Sequence, residues 1–177
     1  MYFSKFPTGN YDMKGDGNQK LVTDLMKRVK VRSKIINEAS LYDVYDVPNG
    51  ERPETTAFKH FGDTELHWVI MLTNNITDGY YGWPLSEQDF QTYINDKYIN
   101  PGAVHHYEVT QSSGPQKGNG PSDYSHRIEV NSDSLGAQAV SNQEYELRIQ
   151  DEKRQIKLLS PQFLGLFIQE FERLISK

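Results

Sequence analysis

Hydrophobic side chains along this chain follow several different spacings, and each switch marks an element. Residues 1–17 show no period; aromatic and glycine-rich, they read as an arm. After Asn18, a candidate cap, Leu21, Val22, Leu25, Met26 and Val29 recur at helical spacing and predict a short helix. From Val29 the period drops to two: Val29, Val31 and Ile35 alternate with Lys30, Arg32 and Lys34, which predicts a half-buried strand.

The middle of the chain is the most legible. LYDVYDV (41–47) is a strand whose stronger apolar members are Leu41, Tyr45 and Val47, closed by a Pro48-Asn49-Gly50 turn. Pro53 suits a first helical turn, and Ala57, Phe58 and Phe61 line the inner side of the helix that follows. Gly62 ends that helix and Asp63 caps the next, so the two fold back as a helical hairpin. In the second helix, TELHWVIMLTNN, a turn of roughly 100° per residue puts Leu66, Val69 and Ile70 on one side and Trp68, Met71 and Leu72 about half a turn away. One apolar stripe serves the helix's own core; the other needs cover from the C-terminal half of the chain or from a different subunit.

GYYGWP (79–84) is an aromatic turn that brings Tyr80, Tyr81 and Trp83 close together, residue types enriched at interface hot spots. Ser86 and Asp89 resemble a capping box that opens a helix with Phe90, Tyr93, Ile94, Lys97 and Tyr98 on one face. AVHHYEVT and YSHRIEV flank a stretch rich in Gly, Pro and Ser, and predict a β-hairpin with a long tip, open to proteolysis near Gly114–Gly120. EYELRIQ and RQIKLLS alternate about Asp151-Glu152-Lys153 and predict a second hairpin. Ser160-Pro161 then starts a last, amphipathic helix carrying Phe163, Leu164, Phe167, Ile168, Phe171, Leu174 and Ile175 in one arc. The pattern is that of an α+β chain: an arm over 1–40, a core module over 41–85, and a region over 86–177 with a helix, two hairpins and a terminal helix.

Composition narrows the function. A formal net charge of −5 argues against a general nucleic-acid binder, although five of the nineteen lysines and arginines crowd between Lys27 and Lys34. That crowd reads as a solvated basic edge or as a docking stripe for an acidic partner. No cysteine is present, which excludes disulfides and thiolate metal sites. The first residues lack the basic start and apolar run of a secretion signal, and no window approaches the ~20 apolar residues of a membrane span. Aromatics make up 12% of the chain while hydrophobic residues make up only 36%, a balance that suits contacts lying partly at interfaces.

Candidate chemistry is sparse. Asp12, Asp16 and Gly17 fall on calcium-loop positions, but Lys14 and Thr23 stand where ligands are required, so DMKGDGN reads as a turn. His60 and His67 lie on different helices, His105 and His106 point to opposite faces of a predicted strand, and His126 is alone. Asp43, Asp46, Glu51 and Glu54 surround a turn and a helix start, where negative charge is favoured. No nucleophile elbow, phosphate loop or zinc motif occurs. The chain is expected to be no enzyme, with no catalytic, cofactor-binding or metal-ligating residue and no cofactor.

The segment YDVYDVPNGERPETTAFKHFGDTELHWVIMLTNNITD carries two related resemblances. Its order of strand, turn, helix and helix, with Tyr45-Asp46-Val47, Gly50-Glu51, Pro53, Ala57, Phe61-Gly62 and Asn74-Asn75-Ile76, is similar to the βααβ LysM module, which binds peptidoglycan or chitin. The variant with GERPE, FGD, Trp68, NN and YYGWP resembles more closely the baseplate wedge subunit of T-even-type contractile-tailed bacteriophages, in which a LysM-like core carries extra terminal segments. RQIKLLSP and the amphipathic helix match that family's ending. One departure bears on sugar binding: after Asn75 a LysM module returns through its second strand, and here TDGYYGWPLS follows.

The resemblance implies a virion structural protein, made in the host cytoplasm and built into the tail baseplate, where it joins neighbouring wedges. Its expected partners are other wedge proteins, with the central hub a further candidate, and neither nucleic acid nor membrane. Expected interface residues are Trp68, Met71, Leu72, Tyr80, Tyr81, Trp83, Lys30, Arg32 and Lys34. The alternative is a LysM-type peptidoglycan-binding module of a cell-wall-associated or lytic protein, with the aromatic cluster as its stacking platform.

Overall fold

Proline, glycine and capping residues divide the chain much as their chemistry dictates, and a computed structural model describes residues 2–113 and 123–176. In chain order the strands and α-helices are β1 (Thr8–Tyr11), β2 (Lys20–Thr23), α1 (Ser33–Ile36), β3 (Tyr42–Asp46), α2 (Pro53–Phe61), α3 (His67–Thr73), α4 (Glu87–Lys97), β4 (Val104–Ser113), β5 (Asp123–Val130), β6 (Gln138–Ser141), α5 (Asn142–Arg154), β7 (Gln155–Leu159) and α6 (Leu164–Ile175). The class is α+β. Contacts divide the chain into two units, residues 1–85 with 153–177, and residues 86–152.

In the first unit, Gly50 takes φ 74° in the turn after β3 and Pro53 occupies the first turn of α2. Gly62 ends α2 in the left-handed region, its N–H donating to the Phe58 carbonyl at 2.9 Å. The Asp63 carboxylate then accepts from the Glu65 N–H at 2.8 Å, capping the short 3-10 turn Thr64–Leu66 that leads into α3. β3 pairs antiparallel with β7, from Tyr42 opposite Leu159 to Asp46 opposite Gln155. The strand–helix–helix–strand order is thus present, but its closing strand comes from Gln155–Leu159 and not from the residues after Asn75.

Two apolar clusters hold this unit. Val47, Ala57, Ile70, Trp83, Ile156 and Leu158 form one, between the sheet and the helical hairpin. Phe6, Tyr42, Trp68, Val69, Leu159, Phe171 and Ile175 form the other, with Phe167 and Ile168 of α6 packed against it.

Several expectations are corrected here. The helix expected after Asn18 is a strand: β2 pairs with β1, and Leu21, Leu25 and Met26 are exposed. The Asp12 carboxylate decides this by accepting the backbone N–H groups of Lys14, Gly15 and Gly17, with both glycines at positive φ, which builds a hairpin turn. Val29 to Ile35 forms no ladder, and α1 takes its second half. The alternation survives in burial, with Val31 buried, Val29 half-buried, and Lys30 and Arg32 exposed. Phe58, expected inside, is 59% exposed.

The second unit packs α4 and α5 with a three-stranded sheet of order β5-β4-β6. β4 and β5 form the expected hairpin, from Tyr107 opposite Val130 to Thr110 opposite Arg127, and its expected tip between Gly114 and Gly120 lies outside the described residues. β6 pairs with the other edge of β4, which the spacing did not announce. The expected second hairpin is not formed, because EYELRIQ lies within α5 and RQIKLLS supplies β7, whose partner is β3. Glu, Gln, Leu, Arg and Lys are good helix formers, and the Ser141 hydroxyl accepts the Glu144 N–H at 3.1 Å as a cap. Alternating Tyr145, Leu147 and Ile149 imitate a strand, yet Glu146 and Gln150, one helical turn apart, are the buried members.

Candidate functional site

Glu51 organises the centre of the first unit. Its carboxylate, 5% exposed, accepts from the Tyr45 hydroxyl at 3.0 Å, the Thr56 hydroxyl at 2.8 Å and the Lys59 ammonium at 2.5 Å. Burial by itself pushes that carboxyl up, and the hydrogen bonds from Lys59, Thr56 and Tyr45 bring it below its ordinary value. The Glu51 carbonyl accepts the Trp83 indole N–H at 2.8 Å. GERPE and GYYGWP, far apart in sequence, are therefore one structural joint.

The aromatic turn is built to present two of its three rings. The Asp78 carboxylate accepts the N–H groups of Tyr80 at 2.9 Å and Tyr81 at 3.0 Å, and the Gly82 N–H donates to the Asp78 carbonyl at 3.1 Å. A Cβ on Gly82 would meet that carbonyl oxygen at 2.4 Å and the Ile76 methyl at 2.8 Å, so only glycine fits. Trp83 is 5% exposed and anchors the turn. Tyr80 and Tyr81, 60% and 52% exposed, face outward with ring centroids 4.8 Å apart in an edge-to-face pair.

The nine expected interface residues thus separate. Trp68, 5% exposed, lies in the chain's own second cluster, 4.7 Å from the Phe171 ring and 5.4 Å from Tyr2. Leu72 packs against that cluster and Met71 against the first. Of the second stripe of α3, Trp68 and Leu72 are therefore packed against the cluster that α6 and residues 2–6 of the same chain help to build, where Phe6, Phe167 and Phe171 supply apolar area, and Met71 joins the cluster of the helical hairpin. Trp83 is likewise inside. Tyr80, Tyr81, Lys30, Arg32 and Lys34 remain on the surface. Among the described residues no carboxylate pairs with these three cations, whereas Lys5 pairs with Glu172, Lys59 with Glu51 and Arg173 with Glu170.

Sequence reasoning missed Asn74. Its side-chain amide donates to the Ile70 and Lys157 carbonyls, each at 2.8 Å, and accepts the Lys157 N–H at 2.8 Å, clamping the outer edge of β7. The Asn74-Asn75 pair, with Asn75 at φ 54°, was the available signal.

The second unit is tied by buried carboxylates. Glu108, 6% exposed, takes both ends of the Arg148 guanidinium at 2.7 and 3.0 Å, with Arg127 at 3.5 Å. The Arg148 hydrogen bonds hold its carboxyl below the usual range. Glu146, 2% exposed, accepts from Lys97 at 2.6 Å and the Tyr98 hydroxyl at 2.8 Å. Burial works to raise this carboxyl, and the bonds from Lys97 and Tyr98 outweigh it.

His105 and His106, expected on opposite faces, are brought together with their Nδ1 atoms 2.9 Å apart. A register shift between Val104 and His106 breaks the alternation, and His105 stacks on Tyr145 at 3.9 Å. Among the described residues no group of three or more His, Asp or Glu side chains is arranged to hold a metal ion. No helix of the described residues is long and apolar enough to cross a membrane.

Comparison with known proteins adds the remaining finding. A family model described as base plate wedge protein 53 matches residues 1–116. The baseplate wedge protein gp53 of Enterobacteria phage T4 is 23% identical over 168 residues, covering 88% of this chain and 85% of that protein.

Proposed function

Because this chain belongs to the base plate wedge protein 53 family, a structural component of the phage tail baseplate, we propose that it joins neighbouring wedges to one another during assembly. Its partners on this reading are other wedge proteins, and its contact surface includes the Tyr80–Tyr81 pair. The observation that carries the reading is the contrast within GYYGWP: Trp83 is spent inside to hold the turn, and two rigid amphipathic rings are displayed outside. Tyrosines so placed bring large contact area at low conformational cost.

Co-sedimentation of the purified protein with a wedge complex tests it. Tyr80→Ala with Tyr81→Ala should weaken association at least about tenfold, since each lost hot-spot ring costs over 1 kcal/mol, while the folded protein's thermal midpoint hardly moves. Unchanged co-sedimentation of that double variant would count against the tyrosine surface. The rival peptidoglycan-binding reading needs a broad aromatic platform, and Trp83, the largest ring of the cluster, is committed to the core. A pull-down on purified cell-wall sacculi separates the two readings.

A further inference from the structure

Residues 20–35 combine three features that the fold of this chain does not use. Lys20, Arg28, Lys30, Arg32 and Lys34 are exposed without a carboxylate partner among the described residues, and Asp24 is the only acid in the stretch. Leu21, Leu25 and Met26 lie beside them, 70%, 60% and 94% exposed. Third, Val29-Lys30-Val31 makes no backbone hydrogen bond to another element among the described residues, although Val31 is buried and holds the segment to the body.

A segment that alternates inward valines with outward cations, with its backbone groups unpaired, is a free strand edge with a charge pattern. Same-side residues on an extended chain repeat roughly every 6.6 Å, so a second extended chain could set alternate carboxylates against Lys30 and Arg32 while pairing its backbone with that of residues 29–31, the Arg32 carbonyl being taken by the N–H groups of Ile35 and Ile36. The chain's net charge of −5 makes this local excess of cations a contrast with its surroundings. Exposed leucine and methionine favour a polypeptide over a phosphate backbone.

Resting on the assembly reading above, we infer that residues 20–35 are the dock for an acidic, extended segment of another baseplate polypeptide, which adds alongside residues 29–31 as a strand and covers Leu25 and Met26.

The test uses the full-length protein and a fluorescein-labelled peptide that alternates glutamate with threonine, followed by fluorescence anisotropy. Lys30→Glu, Arg32→Glu and Lys34→Glu together should weaken binding at least about tenfold, and added salt should weaken the wild type in the same direction. All three side chains are exposed, and the neutral triple variant Lys30→Gln, Arg32→Gln, Lys34→Gln should lose the same binding without introducing repulsion. Methylating alternate backbone nitrogens of the peptide should weaken it further if a strand is added. Equal affinity of the wild type and the neutral variant, or indifference to methylation, overturns the inference. So does binding of duplex DNA or of phosphatidylserine vesicles as tight as that of the peptide. A wild-type protein that fails to co-sediment with wedges overturns the assembly reading alone, whereas loss of the charge dependence overturns only the acidic dock.

Discussion

At Asn74 one side-chain amide takes the place of a missing strand. It satisfies both the N–H and the carbonyl of Lys157 and ties them to the Ile70 carbonyl at the end of α3. Asn74→Ala is expected to cost about 2–3 kcal/mol, because three hydrogen bonds vanish and two main-chain groups lose their partner. Urea denaturation should show the midpoint falling with little change in slope; a midpoint within error of wild type would mean that the edge of β7 finds other partners. Glu51 works by the same principle, drawing Tyr45, Thr56, Lys59 and Trp83 to one residue. These polar residues hold together what apolar spacing alone leaves loose.

Among the elements, α3 shows which of the two expected covers its apolar side chains receive: the C-terminal part of the same chain packs on Trp68. Its apolar residues divide between the unit's two clusters, Ile70 and Met71 with Ala57 and Trp83, and Trp68, Val69 and Leu72 with Phe6 and Phe171. Trp68→Ala is therefore a stability variant: it should cost about 3–5 kcal/mol by opening a cavity among Tyr2, Phe167 and Phe171. Thermal unfolding followed by circular dichroism checks this. A loss below about 1 kcal/mol would show that the cluster is looser than its ring distances indicate. α5 teaches the converse lesson, since a short alternating run inside good helix formers yields to helix propensity and the Ser141 cap. The Ser141–Glu144 spacing was the signal that distinguishes the two.

For the whole molecule, the two units differ in what fills them. Residues 1–85 with 153–177 bury two apolar clusters, while residues 86–152 bury Glu108, Glu146 and Gln150 along with Phe90, Ile94 and Val140. Folded Glu108 and Glu146 both titrate below their ordinary value, as Glu51 does in the first unit, which two apolar clusters also hold. Their contribution to stability is thus present above the unfolded carboxylate pKa of about 4.3 and is lost as pH falls through the lowered folded values. Both tryptophans belong to the first unit, so their emission reports that unit alone. On acidification below about pH 4, far-ultraviolet dichroism should lose part of its helical signal before tryptophan emission shifts. Coincident transitions would show that the buried carboxylates of residues 86–152 set no separate limit, and Glu146→Gln should reduce the acid sensitivity of the dichroism signal.

By itself the sequence determined what depends on neighbours within a few positions. The β3 strand, the Gly50 and Gly62 breaks, Pro53 at the start of α2, the caps at Asp63 and Ser86, and the amphipathic arc of α6 all follow from local backbone freedom, capping and period. Together with YYGWP and GERPE, they also carried the family resemblance. Only the tertiary structure decided that β7 closes on β3, that Asn74 seals its edge, that Trp68 and Trp83 lie inside, and that the cations near Lys30 stay outside. The reason is that local signals act through a residue's own dihedrals and nearest turns. Strand pairing and burial are competitions among distant segments for the same apolar area, and a linear pattern does not record who wins.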